Sequence, residues 1–114
     1  ERLIDEGGVD VVQIDLTRTG FTQAVRIADY AMSRGRKVCN HNFTTDINTA
    51  ASLHFLCATE NALVMEYCVE PNEIARKLAR NPVTIKDGYA HLPTEPGLGV
   101  EPDPAIIEKY LVRI

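Results

Sequence analysis

Asp15, His41 and Glu66 each close a short apolar run: Val9-Asp10-Val11-Val12-Gln13-Ile14-Asp15, Lys37-Val38-Cys39-Asn40-His41 and Leu63-Val64-Met65-Glu66. All three can bind or move a proton. A histidine does so near neutral pH, as a general acid or base. A carboxylate beside it fixes its tautomer and raises its basicity, and Asp15 is placed for that if its strand neighbours the strand of His41. A glutamate at the end of an apolar strand is costly to bury unpaired. Glu66 is therefore expected to ligate a metal, to meet a substrate hydroxyl or carboxyl group, or to cap a salt bridge. The plainer alternative for His41 is a hydrogen-bonded loop histidine. The placement matters because ligands of barrels and open parallel sheets sit at the C-terminal ends of the strands.

Around these three lie the polar loop residues Asn40, Asn42, Thr44 and Thr45, suited to several substrate hydroxyls. His54 stands mid-helix among Leu53, Phe55 and Leu56 and reads as a satisfied structural histidine. His91 reads as an exposed hairpin residue, and Asp10 and Glu70 as surface carboxylates. The cysteines Cys39, Cys57 and Cys68 are odd in number and lack C-x-x-C spacing, so they indicate neither a disulfide framework nor a zinc knuckle. They read as small buried thiols of a cytoplasmic protein. Pro96-Gly97-Leu98-Gly99-Val100-Glu101 is a poor phosphate loop, because no strand and helix flank it in order and no lysine-serine follows. It reads as a tight turn that lays the chain back across the domain. Arg34-Gly35-Arg36-Lys37 fits a solvated turn at a helix C-terminus, where cations are favoured.

The elements that must position these residues follow from periodicity. Residues 9–16 form a Val/Ile-rich strand of the kind covered on both faces. Residues 17–20 form a turn, and residues 22–34 a helix with Ala24, Val25, Ile27, Ala28 and Ala31 on one side. Residues 37–41 form the second strand, and residues 47–59 a helix apolar nearly all round. Residues 62–67 form the third strand, and residues 71–80 a helix with Pro71 in its first turn. Residues 83–92 alternate around Asp87-Gly88 as a β-hairpin does. A loop and a final helix over residues 104–112 complete the chain. Strands alternating with helices predict parallel neighbours and right-handed crossovers. An open three-layer sheet and consecutive units of a (β/α)8 barrel both satisfy this, although three strands cannot close an eight-strand barrel.

Composition narrows the classes. The 114 residues suit one modest domain, and a formal net charge of -4 argues against a nucleic-acid or anionic-membrane partner. No apolar run reaches the ~18 residues of a membrane-spanning helix. The opening Glu1-Arg2-Leu3-Ile4-Asp5-Glu6-Gly7-Gly8 reads as the last turn of a helix with a glycine stop, so a chain cut from something longer is expected.

Val11-Val12-Gln13-Ile14-Asp15-Leu16-Thr17-Arg18-Thr19-Gly20 resembles the sixth-strand segment of the mandelate racemase and muconate lactonizing branch of the enolase superfamily. Val38-Cys39-Asn40-His41-Asn42 resembles its seventh strand, and Val64-Met65-Glu66-Tyr67 its eighth. Asp87-Gly88, Leu92-Pro93 and Pro96-Gly97-Leu98-Gly99-Val100-Glu101 resemble its tail. The resemblance covers essentially the whole chain, with Phe21 standing where the family has a second glycine. It implies an α/β fold: the last three βα units and tail hairpin of a modified (β/α)7β TIM-type barrel. Residues 1–81 would supply the strand-helix units and residues 82–114 the hairpin, loop and helix of one partial barrel domain. The first barrel half and the capping domain would lie outside it.

The resemblance further implies proton abstraction α to a carboxylate, with Mg2+ stabilising the enediolate. His41 would be the general base, Asp15 its partner, and Glu66 a hydrogen-bonding or electrophilic group at the substrate carboxylate. The metal carboxylates belong to strands three to five of the family, so no metal ligand and no activity are expected of these residues alone. The expected parent is a sugar-acid dehydratase or a racemase acting on a carboxylate substrate. Association with a second copy or with the rest of the barrel would cover the apolar edge of residues 9–16. The reading from another class is a non-catalytic α/β binding or structural module.

Overall fold

The structure, a computed structural model, describes residues 1–113. In chain order its elements are α1 (Arg2–Glu6), β1 (Val11–Ile14), α2 (Leu16–Ser33), β2 (Lys37–Asn40), α3 (Asp46–Cys57), β3 (Ala62–Val64), α4 (Glu73–Lys77), β4 (Thr84–Lys86), β5 (Tyr89–His91) and α5 (Pro104–Tyr110). The strands β1, β2 and β3 form a parallel sheet in that order, with Gln13 opposite Cys39 and Cys39 opposite Val64. The alternation of strand and helix read from the periodicity is thus present, with β2 in the middle.

One face of the sheet carries the core. Ile14, Leu16 and Val38 pack against Ala24, Ala28 and Ala31 of α2 and Ala51, Phe55 and Leu56 of α3. The alanines recur at helical spacing and let α2 lie close on the strands. Asn61, buried beside them, donates from its amide to the carbonyls of Ala28 and Arg36 and so ties the start of β3 to α2. The other face is open. The expectation of a strand covered on both sides fails for residues 9–16, since only the helix-facing side is buried and Val11 is exposed. The far strand is an edge as well: Leu63 and Val64 are 57% and 61% exposed.

Element boundaries differ locally from the expectation, for identifiable reasons. The segment after β1 is helical from Leu16 and not a turn, because the Asp15 carboxylate caps it. The turn survives as a kink at Gly20, whose φ of 62° suits glycine. α4 begins two residues after Pro71, because the Asn72 side chain accepts from the N–H groups of Ile74 and Ala75 and sets the cap there. β3 is shorter than residues 62–67, and beyond it side chains replace the ladder. Cys57 is exposed in the last turn of α3, unlike the small buried thiol expected there.

The tail clasps the outer side of α3. The Asp87-Gly88 turn has positive φ at both residues and closes β4 on β5 in antiparallel register, as a two-residue hairpin loop requires. Val83, Leu98 and Val100 pack on Ala50 and Leu53. His54 meets the Leu98 carbonyl through Nε2 at 3.1 Å. At the start of α3, buried Asp46 accepts from the Ala79 N–H at 2.8 Å, and burial pushes its carboxyl above the usual value against the opposing pull of that bond. α5 is held by Glu73 of α4, whose carboxylate takes both Lys109 and the Tyr110 hydroxyl.

Hydrogen bonds from Lys109 and then Tyr110 pull the Glu73 carboxyl from 4.5 down to about 2. An acid held ionised in the folded state contributes fully above its ordinary value and loses that contribution as pH falls through its folded value. The protection of the α5 amides from hydrogen exchange, relative to their intrinsic rates at each pH, is therefore expected to fall as pH drops from 4.5 toward about 2. In Glu73→Gln, α5 should be loosened across the range without that step. A step retained in Glu73→Gln would assign the effect to another group.

Candidate active site

Side chains alternate across a strand, so every second residue of β1, β2 and the segment after β3 shares the open face. The paired row Gln13, Cys39 and Val64 is followed, two residues on, by Asp15, His41 and Glu66. The structure therefore places all three proton-handling residues on one side of the sheet, at its C-terminal end.

Asp15 and His41 are in direct contact: His41 Nδ1 lies 3.2 Å from Asp15 Oδ2. The other carboxylate oxygen accepts from the Thr17 N–H at 2.9 Å and the Thr17 hydroxyl at 2.7 Å. One side chain thus caps α2 and faces the imidazole. Burial acts to raise the Asp15 carboxyl, but the bonds from Thr17 and His41 together outweigh it, and its pKa lies below the ordinary value. An ionised Asp15 favours the tautomer with hydrogen on Nδ1, which leaves Nε2 free to accept or, when protonated, to give a proton. The exposed Arg18 comes within 3.5 Å of Asp15 Oδ2.

Glu66 is held at both ends. Its Oε1 accepts from the Gln13 amide at 3.0 Å and its Oε2 from the Asn42 N–H at 2.7 Å. Its main chain is gripped by Asn40, whose amide donates to the Glu66 carbonyl and whose oxygen accepts from the Glu66 N–H. Asn40 therefore continues the pairing of β2 with the third strand after the backbone ladder has stopped. Asn42 donates to Thr49 Oγ1 and accepts from the Asn48 amide. Asn40 and Asn42 are 0% and 1% exposed. Their side-chain polar groups are hydrogen-bonded internally and position Glu66 and the loop.

Thr44 and Thr45 line a separate cavity of about 290 Å³ with Asn42, Thr49, Tyr67 and Arg76, and none of Asp15, His41 and Glu66 borders it. Two residues of the open site escaped the sequence reading. Gln13 interrupts an apolar run two residues before Asp15, a parity that marks it for the same face. Phe43 is 55% exposed, and its ring centre lies 5.6 Å from that of His41. Only its position two residues after His41 could have marked it. Cys39, below His41 on the open face, is pushed up by burial and then by the Glu66 charge, which keeps it a neutral thiol. For magnesium, which prefers near-octahedral oxygen ligands, the donor set does not fit. Among the described residues no three of His, Cys, Asp and Glu converge, and Asp15 and Glu66 already accept hydrogen bonds on both oxygens.

Comparison with known proteins gives a consistent result. The family described as enolase C-terminal domain-like matches residues 1–106. The D-xylonate dehydratase of Haloferax volcanii is 32% identical over 112 residues, covering 97% of this chain and 27% of that protein. The D-galactarolactone cycloisomerase of Agrobacterium fabrum is 30% identical over 107 residues, covering 86% of this chain and 28% of that one. The crystal structure of an enolase superfamily member from Polaromonas sp. JS666 superposes with a TM-score of 0.88 at 38% identity, over 98% of this chain and 30% of that chain. The chain thus spans less than a third of the length of these relatives.

The double use of Asp15 separates two substitutions. Asparagine caps helices as well as aspartate does. Asp15→Asn is expected to leave the urea midpoint almost unchanged, while 15N shifts of the neutral His41 ring show loss of the Nδ1–H preference. Asp15→Ala removes cap and anion together and should lower the unfolding free energy by about 1 kcal/mol. A His41 ring unaltered in Asp15→Asn would separate the two residues chemically.

Proposed function

The chain belongs to the enolase C-terminal domain-like family, in the mandelate racemase and muconate lactonizing branch of the enolase superfamily, and from that premise we propose that it supplies the histidine-aspartate pair of an enzyme that moves a proton α to a carboxylate. The observation that carries this reading is the 3.2 Å contact of His41 Nδ1 with Asp15 on neighbouring strand ends. Asp15 orients the ring, and His41 uses Nε2 toward the substrate. Glu66, fixed on the same face, meets the substrate's carboxylate end. In the whole protein these residues belong to the last three βα units of a (β/α)7β barrel. Magnesium, which would stabilise the enediolate, takes its ligands from outside these 114 residues.

A sugar-acid dehydratase is the favoured reaction. A base removes the α-proton, and His41, as acid, gives a proton to the departing β-hydroxyl, which leaves as water. The enol that remains becomes a 2-keto-3-deoxy acid. With bases on both faces of the α-carbon the same parts give racemisation or epimerisation. The dehydratase reading is supported by similarity to a protein named for that reaction on D-xylonate.

The test is made in a polypeptide that carries these residues together with the rest of the barrel. His41→Asn is expected to abolish loss of the β-hydroxyl or, where His41 serves as one of two bases, solvent-deuterium exchange of the α-proton on its face, with the circular dichroism spectrum unchanged. Turnover at the wild-type rate would remove His41 from the reaction. The 114-residue chain alone should show no turnover, and calorimetry should find no micromolar magnesium site.

The same reading assigns a partner to the two sheet edges. β1 and β3 present unpaired backbone groups beside Val11, Leu63 and Val64, which invites pairing with further strands. Alone in solution, the chain is expected to scatter light as a species heavier than 12.6 kDa. A strict monomer with the β1 amides protected from exchange would contradict this.

A further inference from the structure

We propose that Gln13 is a positioning residue, which holds the Glu66 carboxylate in the one orientation that the reaction uses. This rests on the functional reading above and adds to it a residue of the first strand. The Gln13 amide reaches over β2 to Glu66 Oε1, 3.0 Å away and 53 residues along the chain. The second oxygen is fixed by the Asn42 N–H, and both main-chain groups of Glu66 are fixed by Asn40. Of these anchors, Gln13 is the only side chain that touches the carboxylate. Asn40 sets where Glu66 starts, the Asn42 N–H sets one oxygen, and Gln13 removes the remaining rotation.

The residue type suits the task. Gln13 interrupts the apolar run Val11-Val12-Gln13-Ile14 on the face that carries Asp15. A carboxamide has a donor and an acceptor at the same place. It donates to Glu66 as a carboxylate. A glutamate at residue 13 would repel the Glu66 carboxylate, and an apolar residue would not hold it.

Gln13→Met keeps the length of the side chain and removes both hydrogen-bonding atoms. In the full enzyme its kcat is expected to fall about ten- to a hundredfold, the range set by losing a hydrogen bond to a charged group. In a Glu66→Ala background the same substitution should change kcat by less than about twofold, because a residue acting through another has nothing left to act on. Equal losses in both backgrounds would give Gln13 a merely structural role and overturn the proposal.

A second measurement needs no turnover. In the 114-residue chain, Glu66→Ala should shift one Nε2–H signal of Gln13 and speed its exchange with water, whereas His41→Asn should leave both signals in place. Gln13 signals indifferent to Glu66→Ala would refute the contact itself. Absence of turnover and of α-proton exchange by wild-type enzyme on sugar acids and other carboxylates bearing an α-proton would refute the enzymatic reading and the positioning role with it, while the amide signals would still report whether Gln13 and Glu66 are bonded.

Discussion

The pleat of three parallel strands governs everything else in this molecule. A strand sends alternate side chains to opposite faces, so a one-residue slip would exchange them. Here one parity gives Val12, Ile14 and Leu16 to the helices, and the other gives Gln13 and Asp15 to the open face. β2 divides in the same way, with Val38 and Asn40 inward and Cys39 and His41 outward. The packing of Ile14 and Val38 against Ala24, Ala28 and Phe55 therefore fixes where His41 and Asp15 meet. Core and site are two faces of one register.

Small polar side chains finish what the backbone begins. β1 ends where Asp15 turns the chain into α2, and the capping carboxylate is also the one that faces the imidazole. β3 stops at Val64, and the Asn40 amide replaces the missing rungs with two bonds to Glu66. Asn42 does the same for the loop that leads to α3, by way of Thr49 and Asn48. Each of these groups is buried or half-buried and satisfied, as polar groups withdrawn from water must be. The site is consequently rigid where strand hydrogen bonds alone would leave frayed ends.

The strand-helix alternation was legible because apolar periods of two and of 3.6 differ plainly over these lengths, and the tail hairpin because Asp-Gly at residues 87 and 88 has few other uses. Asp15, His41 and Glu66 were legible as polar stops to apolar runs. Less legible was anything that depends on which atom of a side chain is occupied. Asn40 and Asn42 look like ligand-binding loop residues, since an amide held internally and an amide open to solvent have the same letter. Gln13 was passed over because a single polar residue inside a strand is ordinary on a one-sided sheet. The cap at Asp15 was hidden by Thr17, Thr19 and Gly20, which suggest a turn as readily as a first helical turn. The length of β3 depends on a side-chain substitute for its ladder, which no propensity encodes.

The clasp of residues 79–103 on α3 has a consequence for the order in which the structure matures. The start of α3 is tied to Ala79, its last turn to Leu98, and the segment around Leu78 to Asp103. These ties join residues far apart in the chain, and such contacts close only after the entropy of a long loop has been overcome. A ribosome delivers the chain from its N-terminus at about 5–20 residues per second. The three strands and their helices are therefore all outside the exit tunnel seconds before the tail that fastens α3. During that interval Ala50 and Leu53, destined to lie under Val83 and Leu98, face water and offer a nascent-chain chaperone an apolar target on the outer side of α3.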